Sequence, residues 1–430
     1  LYRFAPSLDD SILTWTPFDV IEDISSTPTP TEIFTASRIL NFSSPGKDLI
    51  RAEYLKAVCR NNNLFFDFVV PYVVDFWDGR DHRVPKDWEV CQATKIFKKG
   101  NASLPGNYRY VMKLVVMQKL VLIIIRQRLQ ILLDNILGYE PQCCSKNRGT
   151  RDANFNLRMA LRKRKEHGLE TWVGFLDIRK AFDTVPRECE NGDEALLWKV
   201  LRRFGCPEKL LDIIKALHKI VVVEISEGGS RRSVIAHRGV RQGDILGPIL
   251  FNLFMATVFL TWRMKKRTRK VVFYCDSIHT QEKFFLRKRP EDYSFGVYFE
   301  FDMSLYCDDT ADLAWDRENL AADLRGLMEH FEAFGLILHR GDATEKSKTV
   351  AMAFKKRSYE NSETYDGMDL SDIIIDPEKG TFVPFVNRTK VLGSIFTPEL
   401  GDTVDVISRI QAANGVFGRY SKRVFCSSKF

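Results

Sequence analysis

The sequence predicts an α+β fold. Three observations lead there. "TWVGFLDI" (171–178) reads as a buried strand. The runs on either side of Asp308 and Asp309 in "FDMSLYCDDTADLAW" (301–315) alternate apolar with small or polar residues, as the two arms of a β-hairpin do. Strand-like runs of this kind alternate along the chain with helical patterns, and no internal repeat is visible. In chain order, "SSTPTPTE" (25–32) is Pro/Thr-rich and reads as a linker or surface loop that sets off an N-terminal extension, 1–44. In "VPKDWEVCQATKIFKKGNASLPGNYR" a strand-like run leads into a Lys-rich turn. The most apolar segment, "VMKLVVMQKLVLIIIRQRLQILL", is interrupted by Lys113, Lys119 and Arg126. Its longest clean run, Leu120–Ile125, falls far short of the ~20 residues of a membrane helix, so a buried amphipathic helix is expected and no membrane partner. "ALLWKVLRRFG" places Leu197, Leu201 and Phe204 on one helical face, with Gly205 suited to the cap and Pro207 starting the next helix. "LGPILFNLFMATVFLTW" is apolar nearly all round with Pro248 in its first turn, the pattern of a core helix. "RENLAADLRGLMEHFEAFG" repeats Leu320, Leu324, Leu327, Phe331 and Phe334 at helical spacing and closes on Gly335.

A chain of 430 residues has room for two or three domains or one multi-lobed enzyme. Its 45% hydrophobic and 12% aromatic content excludes a largely disordered protein. A net charge of +8 permits a nucleic-acid partner without demanding one. "LRKRK" (161–165) and "RMKKRTRK" (263–270) either follow a phosphate backbone or are solvated faces; the second could also be a nuclear address. The nine cysteines are scattered with no metal-site spacing, so reduced thiols in an intracellular protein are expected, nuclear or cytoplasmic. The sequons at Asn41, Asn101 and Asn387 are then chance matches. Without an initiator Met or a signal peptide, the chain reads as a piece of a longer polypeptide.

The chemistry rests on carboxylates. Asp308 and Asp309 stand side by side at the expected hairpin tip, where strand propensity disfavours Asp and like charges repel. Adjacent acids also cap helices and make turns, so the pair alone decides nothing. Asp177, in "FLDIRKAFD", ends the buried strand, where a charge is costly unless it is paired or binds a metal. Three hard oxygen ligands suit two Mg²⁺ ions, or Mn²⁺, about 3.5–4 Å apart. One ion would lower the pKa of an attacking 3′-hydroxyl, and the other would neutralise charge on departing pyrophosphate. Between these carboxylates, "HRGVRQGDILGPILFN" is a Gly-rich turn entering the apolar helix. There Gln242 and Gly243 either let a templating base pair approach the backbone or form an ordinary loop.

"FLDIRKAFD", "GVRQGDILGPILFN", "LYCDDT", "EKSKT" and "KVLGSIFT" occur in the order and rough spacing of the palm motifs of reverse transcriptases, and they resemble most the non-LTR (LINE-type) retrotransposon polymerases. "VPKDWEV...IFKKG...NYR" is similar to that family's fingers and "SSPGKDLIRAEYLKA" to the segment before them, so the likeness covers roughly 45–420. The resemblance implies a right-hand polymerase: fingers and pre-palm segment over 45–170, a palm with an antiparallel sheet backed by helices over 171–400, and a partial thumb over 401–430. It implies an RNA-directed DNA polymerase that works on an RNA template, a DNA primer and dNTPs. Asp177, Asp308 and Asp309 would hold the metals. Phe182 would be the aromatic gate against a ribose 2′-hydroxyl, unless it is a core aromatic. Gln242 and Gly243 would lie under the nucleotide and template, and Lys98, Lys99 and Arg109 would meet the triphosphate. Lys348 would protonate the departing pyrophosphate, with Lys346 as its competitor, and Leu392 and Gly393 would form the turn that grips the primer.

The chain also departs from the family pattern. "PQCCSKNRGTRDA" stands where the family has a "GFRxGRS"-like segment, "CENGDEA" looks like a small insertion, and Val391 replaces an aromatic. Asp312 occupies a strand position that calls for an apolar residue, and is expected to be either exposed or destabilising. No endonuclease signature precedes residue 45 and no Cys/His knuckle follows the palm. A decayed copy that binds RNA without catalysis is therefore the rival reading. An intron-encoded maturase would need an RNA-binding domain for which the sequence carries no sign.

Overall fold

A computed structural model of the chain describes all residues except 1–4, 6–7, 42–43, 80–83, 99, 105–106, 137–148, 220–221, 228–229, 241–242, 276–296, 355–367 and 422–430. Gln242, Lys99 and most of "PQCCSKNRGTRDA" thus lie outside the described residues. The chain forms two compact units, each assembled from three segments: 1–147, 179–265 and 328–337 in the first, and 148–178, 266–327 and 338–430 in the second. The strands are β1 (Val90–Phe97), β2 (Tyr108–Lys113), β3 (Thr171–Leu176), β4 (Val222–Glu227), β5 (Ser230–Ile235), β6 (Val272–Cys275), β7 (Val297–Glu300), β8 (Met303–Tyr306), β9 (Asp309–Ala314), β10 (Val350–Phe354), β11 (Ile373–Asp376), β12 (Thr381–Val383), β13 (Thr389–Val391) and β14 (Ser394–Phe396).

In the first unit a four-stranded sheet runs β2-β1-β4-β5. The Lys-rich turn closes the antiparallel hairpin β1–β2, in which Phe97 faces Tyr108, and β1 pairs parallel with β4. The long apolar segment forms helix Val116–Ile136, buried along most of its length as expected. One cation on it, Arg128, organises the N-terminus. Its Nε and Nη2 each donate to Glu32 at 2.8 Å, and Nη1 donates to the carbonyls of Ile24 and Ser26 at 2.9 and 2.5 Å. The guanidinium also lies 4.6 Å over the Trp77 ring. "SSTPTPTE" is a surface loop over 26–29 that runs directly into a helix, and not a linker between separate parts. Thr29 caps helix Pro30–Ile39, its hydroxyl accepting from Glu32 N at 3.2 Å with Pro30 in the first turn. The second half of the Pro/Thr-rich stretch is a helix start.

Helix Leu196–Arg203 ends as its sequence requires. Gly205 has φ +86°, and a Cβ on it would stand 2.2 Å from Asp19 O. Helix Gly247–Lys265 has the length and apolarity of a membrane span, but 78% of its apolar window is buried in the protein, which makes it a core helix.

The second unit is built on the sheet β10-β3-β9-β8, antiparallel throughout, with every residue of β3 buried. Val173, Phe175, Ala311, Leu313 and Met352 pack with Leu157 and Leu161 of helix Thr150–Glu166. On the opposite face Gly174 admits helix Arg317–Ala333 closely, since a Cβ would lie 3.0 Å from Leu324 Cδ2 and 3.3 Å from Leu320 Cδ1. Asp312 pairs with Gly174 in the ladder. It is fully buried, which excludes the exposed alternative and leaves the destabilising one, and Lys266 Nζ, 3.0 Å from its Oδ1, offsets part of the cost of burying it. The same ammonium is 3.0 Å from Asp323 Oδ2 and 3.6 Å from Asp302 Oδ2.

The fold also uses much of both basic runs. Arg164 is buried, donates to Thr171 Oγ1 at 2.7 Å and stacks 4.1 Å over Trp315, whose ring Arg269 also meets at 3.8 Å. Arg162 binds Asp402 at 2.7 Å, and Lys270 binds Glu300 at 2.8 Å. Cys59, Cys91, Cys189 and Cys206 form no disulfide, whereas Cys307 is disulfide-bonded, which departs from the expectation of reduced thiols throughout.

Candidate active site

The three aspartates converge in the second unit. β3 ends at Leu176, paired with Thr310, so one further step along the antiparallel register sets Asp177 against Asp309. The β8–β9 hairpin closes on the pair Tyr306 and Asp309, leaving Cys307 and Asp308 as its turn, with Cys307 at φ +56°. The hairpin tip expected from the alternation is therefore real, and it brings the adjacent carboxylates to the end of β3.

Their electrostatics confirm the proximity. Asp309 opens β9 at the surface, while the rest of the strand is buried. Burial, then the negative charges of Asp308 and Asp177, push the Asp309 carboxyl up to about 6. Asp177 itself is clasped on both sides of its peptide. Its N–H donates to Thr349 Oγ1 at 3.1 Å, and its carbonyl accepts from His339 N at 2.8 Å. Lys348 Nζ lies 3.7 Å from Asp177 Oδ2, while Lys346 is exposed two residues earlier. Of the two lysines, Lys348 is the one at the carboxylate.

Among the described residues, no three carboxylate, imidazole or thiol groups close into a ready-made metal cage. The donor set nevertheless fits hard divalent cations. Three oxygen-bearing groups at one sheet end, one of them pushed toward protonation by burial and then by the charges of the others, are relieved by a cation whose remaining ligands come from phosphate and water.

The Leu392–Gly393 turn also lies in the second unit. It joins β13 to β14 in two residues, with φ +48° and +83°, the left-handed pair of a type I′ hairpin. Asn154 donates to Leu392 O at 3.3 Å, and Arg409 donates to Ser394 Oγ at 2.8 Å.

The first unit gathers a different group. Phe182 stacks on Phe251, ring centroids 4.4 Å apart and planes 20° from parallel. It is only half-buried, so it combines a core contact with an open face. Val240 N donates to Phe182 O at 2.7 Å, and Gly239 lies so near that a Cβ would be 2.7 Å from Asp183 Cα. Burial pushes the Asp183 carboxyl up, and Lys180 and Lys98 pull it back, which places Lys98 in this neighbourhood. Gly243, at φ +93°, meets β2, where a Cβ would be 2.9 Å from Met112 O. Arg109 is exposed on the same strand, opposite Ile96.

Three residues escaped the sequence reading. Thr349 sits inside a quoted motif without a role assigned to it, His339 precedes that motif, and Lys266 lies within a basic run. No periodicity singles out any of them.

The chain also resembles known proteins. Residues 96–367, well over half of the chain, match the family described as reverse transcriptase (RNA-dependent DNA polymerase). The chain is 29% identical over 171 residues to a Retrovirus-related Pol polyprotein from the type-1 retrotransposable element R2 of Popillia japonica, covering 39% of this chain and 23% of that protein. It is 25% identical over 229 residues to the corresponding polyprotein of type-2 element R2DM of Drosophila melanogaster, covering 53% of this chain and 20% of that protein. It thus spans about a fifth of the length of these relatives. Among solved structures, an apo telomerase from Candida tropicalis aligns with a TM-score of 0.42 and 12% identity, over 73% of this chain and 54% of the other. A telomerase from Candida albicans aligns with a TM-score of 0.42 and 10% identity, over 74% and 47%. From the extent of the family match and the R2 polyproteins it resembles, the chain belongs to the reverse transcriptase (RNA-dependent DNA polymerase) family, in its non-LTR branch.

Proposed function

We propose that this chain polymerises DNA on an RNA template, joining dNTPs to a primer 3′-hydroxyl, with 45–170 as fingers and pre-palm segment, 171–400 as palm and 401–430 as the start of the thumb. In the reaction a bond forms from the primer 3′-oxygen to the α-phosphorus, the bond to the bridging oxygen breaks, and pyrophosphate leaves. Asp177, Asp308 and Asp309 would hold two Mg²⁺ ions, which supply Lewis-acid activation of the hydroxyl and charge neutralisation on pyrophosphate. Lys348 Nζ would give its proton to the departing pyrophosphate oxygen, having stood against Asp177 beforehand. The open face of Phe182 would meet the sugar of the incoming nucleotide, the Lys98 and Arg109 cations its phosphates, and Gly243 the template-side bases. The Leu392–Gly393 turn would bear on the primer strand.

The observation that carries this reading is the convergence of Asp177, Asp308 and Asp309 at the end of β3, where burial and then the charges of Asp308 and Asp177 push the Asp309 carboxyl up. Three carboxylates gathered at one strand end are explained by a cationic ligand. The test is extension of oligo(dT) on poly(rA) with dTTP, with and without Mg²⁺. Extension should require the metal and vanish in Asp308→Asn and Asp177→Asn variants that still fold and bind RNA. A folded parent chain that binds RNA with salt-dependent affinity and extends nothing would replace this reading with a silent RNA-binding relic.

A further inference from the structure

We propose that His339 is a positioning residue for the transfer: its buried imidazole, bonded to the Lys348 main chain, holds the lysine's ammonium against Asp177. This rests on the reading of Lys348 as proton donor. The chain passes Asp177 at His339 and comes back to it at Thr349, just before β10, and both ends of that excursion grip Asp177. His339 N donates to Asp177 O at 2.8 Å, and Asp177 N donates to Thr349 Oγ1 at 3.1 Å. Thr349 N in turn donates to His339 O at 3.2 Å, so the base of the loop is closed on itself.

Inside the loop the imidazole is the joint. Lys348 N donates to its Nδ1 at 3.4 Å, and Nε2 lies 3.0 Å from Glu345 Oε1. An Nδ1 that accepts carries no proton, so Nε2 bears the hydrogen and donates it to Glu345. A neutral ring in one tautomer thus ties two points of the loop together. Glu345 is fixed independently, because Asp342 Oδ1 accepts from Thr344 N at 2.7 Å and from Glu345 N at 2.8 Å. Gly341 exchanges main-chain bonds with Phe382 at 2.9 and 3.0 Å, which anchors the loop to β12. The contrast in exposure fits the assignment: the His339 side chain is 3% accessible, and the Lys348 side chain it aims is 65% accessible. A lysine so exposed has many rotamers to choose from, and the fixed main chain beneath it narrows that choice to the neighbourhood of Asp177.

Two measurements on the full chain test this. The first needs no activity: the rate at which an N-hydroxysuccinimide acetate labels Lys348, relative to exposed Lys346, read by mass spectrometry on samples shown to be folded. Asp177→Asn should raise the ratio by about twofold to fivefold as the ion pair is lost, and His339→Leu should raise it similarly. Glu345→Ala, at an exposed position, should move it the same way without threatening the core, and His339→Gln, which keeps an acceptor and a donor, should leave it near the parent value. An unchanged ratio in both His339→Leu and Glu345→Ala overturns the proposal. The second is a double-mutant cycle on primer extension. His339→Leu should lower kcat about tenfold with KM for dTTP unchanged, and should have no further effect in a Lys348→Ala background. Equal losses in both backgrounds would make His339 a packing residue only. If Lys348→Ala alone leaves kcat unchanged, the proton-donor reading fails, a result distinct from either.

Discussion

Lys266 Nζ stands 3.0 Å from Asp312 Oδ1, in the interior behind the hairpin that carries Asp308 and Asp309. Asp302 comes just before β8, Asp312 lies in β9, and Asp323 lies on the helix packed against them, so one ammonium ties three elements together. Burial alone would pull the Lys266 ammonium down, but the charges of Asp312, Asp323 and Asp302 outweigh it and hold the ammonium above its usual range. One cation cannot neutralise three carboxylates, and burial pushes Asp312 above the ordinary carboxylate range. Lys266→Met should therefore cost about 3–5 kcal/mol in urea unfolding, because it strands buried charges, whereas Asp312→Asn should cost less. A Lys266→Met chain within about 1 kcal/mol of the parent would show that the cluster does not hold the hairpin.

The carboxylates of the site were legible because each is a residue type in the wrong surroundings: Asp177 at the end of a mostly apolar strand, and Asp308 beside Asp309 between two alternating runs. The Lys266 cluster was not. Its members are scattered along the chain, and which cation of "RMKKRTRK" turns inward depends on where helix Gly247–Lys265 ends. His339 was hidden for a related reason, since its partners are largely main-chain atoms, which leave no trace in residue type. In "SSTPTPTE" the composition suggested a loop, while the local signal that mattered was Thr29, Pro30 and Glu32 in capping order.

Asp309 carries a pH signature whose sign reports on metal binding. Its carboxyl titrates at about 6 in the folded chain against an ordinary 3.8, so the folded state binds that proton more tightly than the unfolded state does. The stability it contributes is full below about pH 4 and is lost as pH rises through about 6. In metal-free buffer the Tm of the parent chain relative to Asp309→Asn should fall across that window. Millimolar Mg²⁺ should raise the parent's Tm most above pH 6, where the carboxylates are ionised, and should do little for the variant. A parent Tm that follows the variant's at every pH would remove Asp309 from the charge cluster.

Phe182 combines a packed face with an open one, and the two contributions separate. Phe182→Ala loses the stack on Phe251 and should cost about 2 kcal/mol of stability. It should also lower discrimination against ribonucleotides by about tenfold in competition primer extension, since nothing else would fill the space beside the sugar. Phe251→Leu is the control, as it removes the stacking partner and leaves the Phe182 ring in place. It should destabilise by about 1 kcal/mol and keep most of the discrimination. Unchanged discrimination in Phe182→Ala would reduce the residue to core packing.

Leu392 and Gly393 allow turn geometry to be told apart from side-chain contact. Both hold left-handed backbone angles, +48° and +83°, which glycine adopts freely and leucine does not. A type I′ turn favours Asn-Gly, so Leu392→Asn should raise stability by up to about 1 kcal/mol, while Gly393→Ala should lower it by about 1 kcal/mol. If the turn acts on the primer through its shape, primer affinity and processivity should follow stability: improved or unchanged in Leu392→Asn, reduced in Gly393→Ala. If the leucine side chain itself presses on the primer, Leu392→Asn should melt higher yet release primer faster. Opposite signs of the two effects in one variant would assign the contact to the side chain, because a stabilised hairpin offers no other reason to lose the strand it holds.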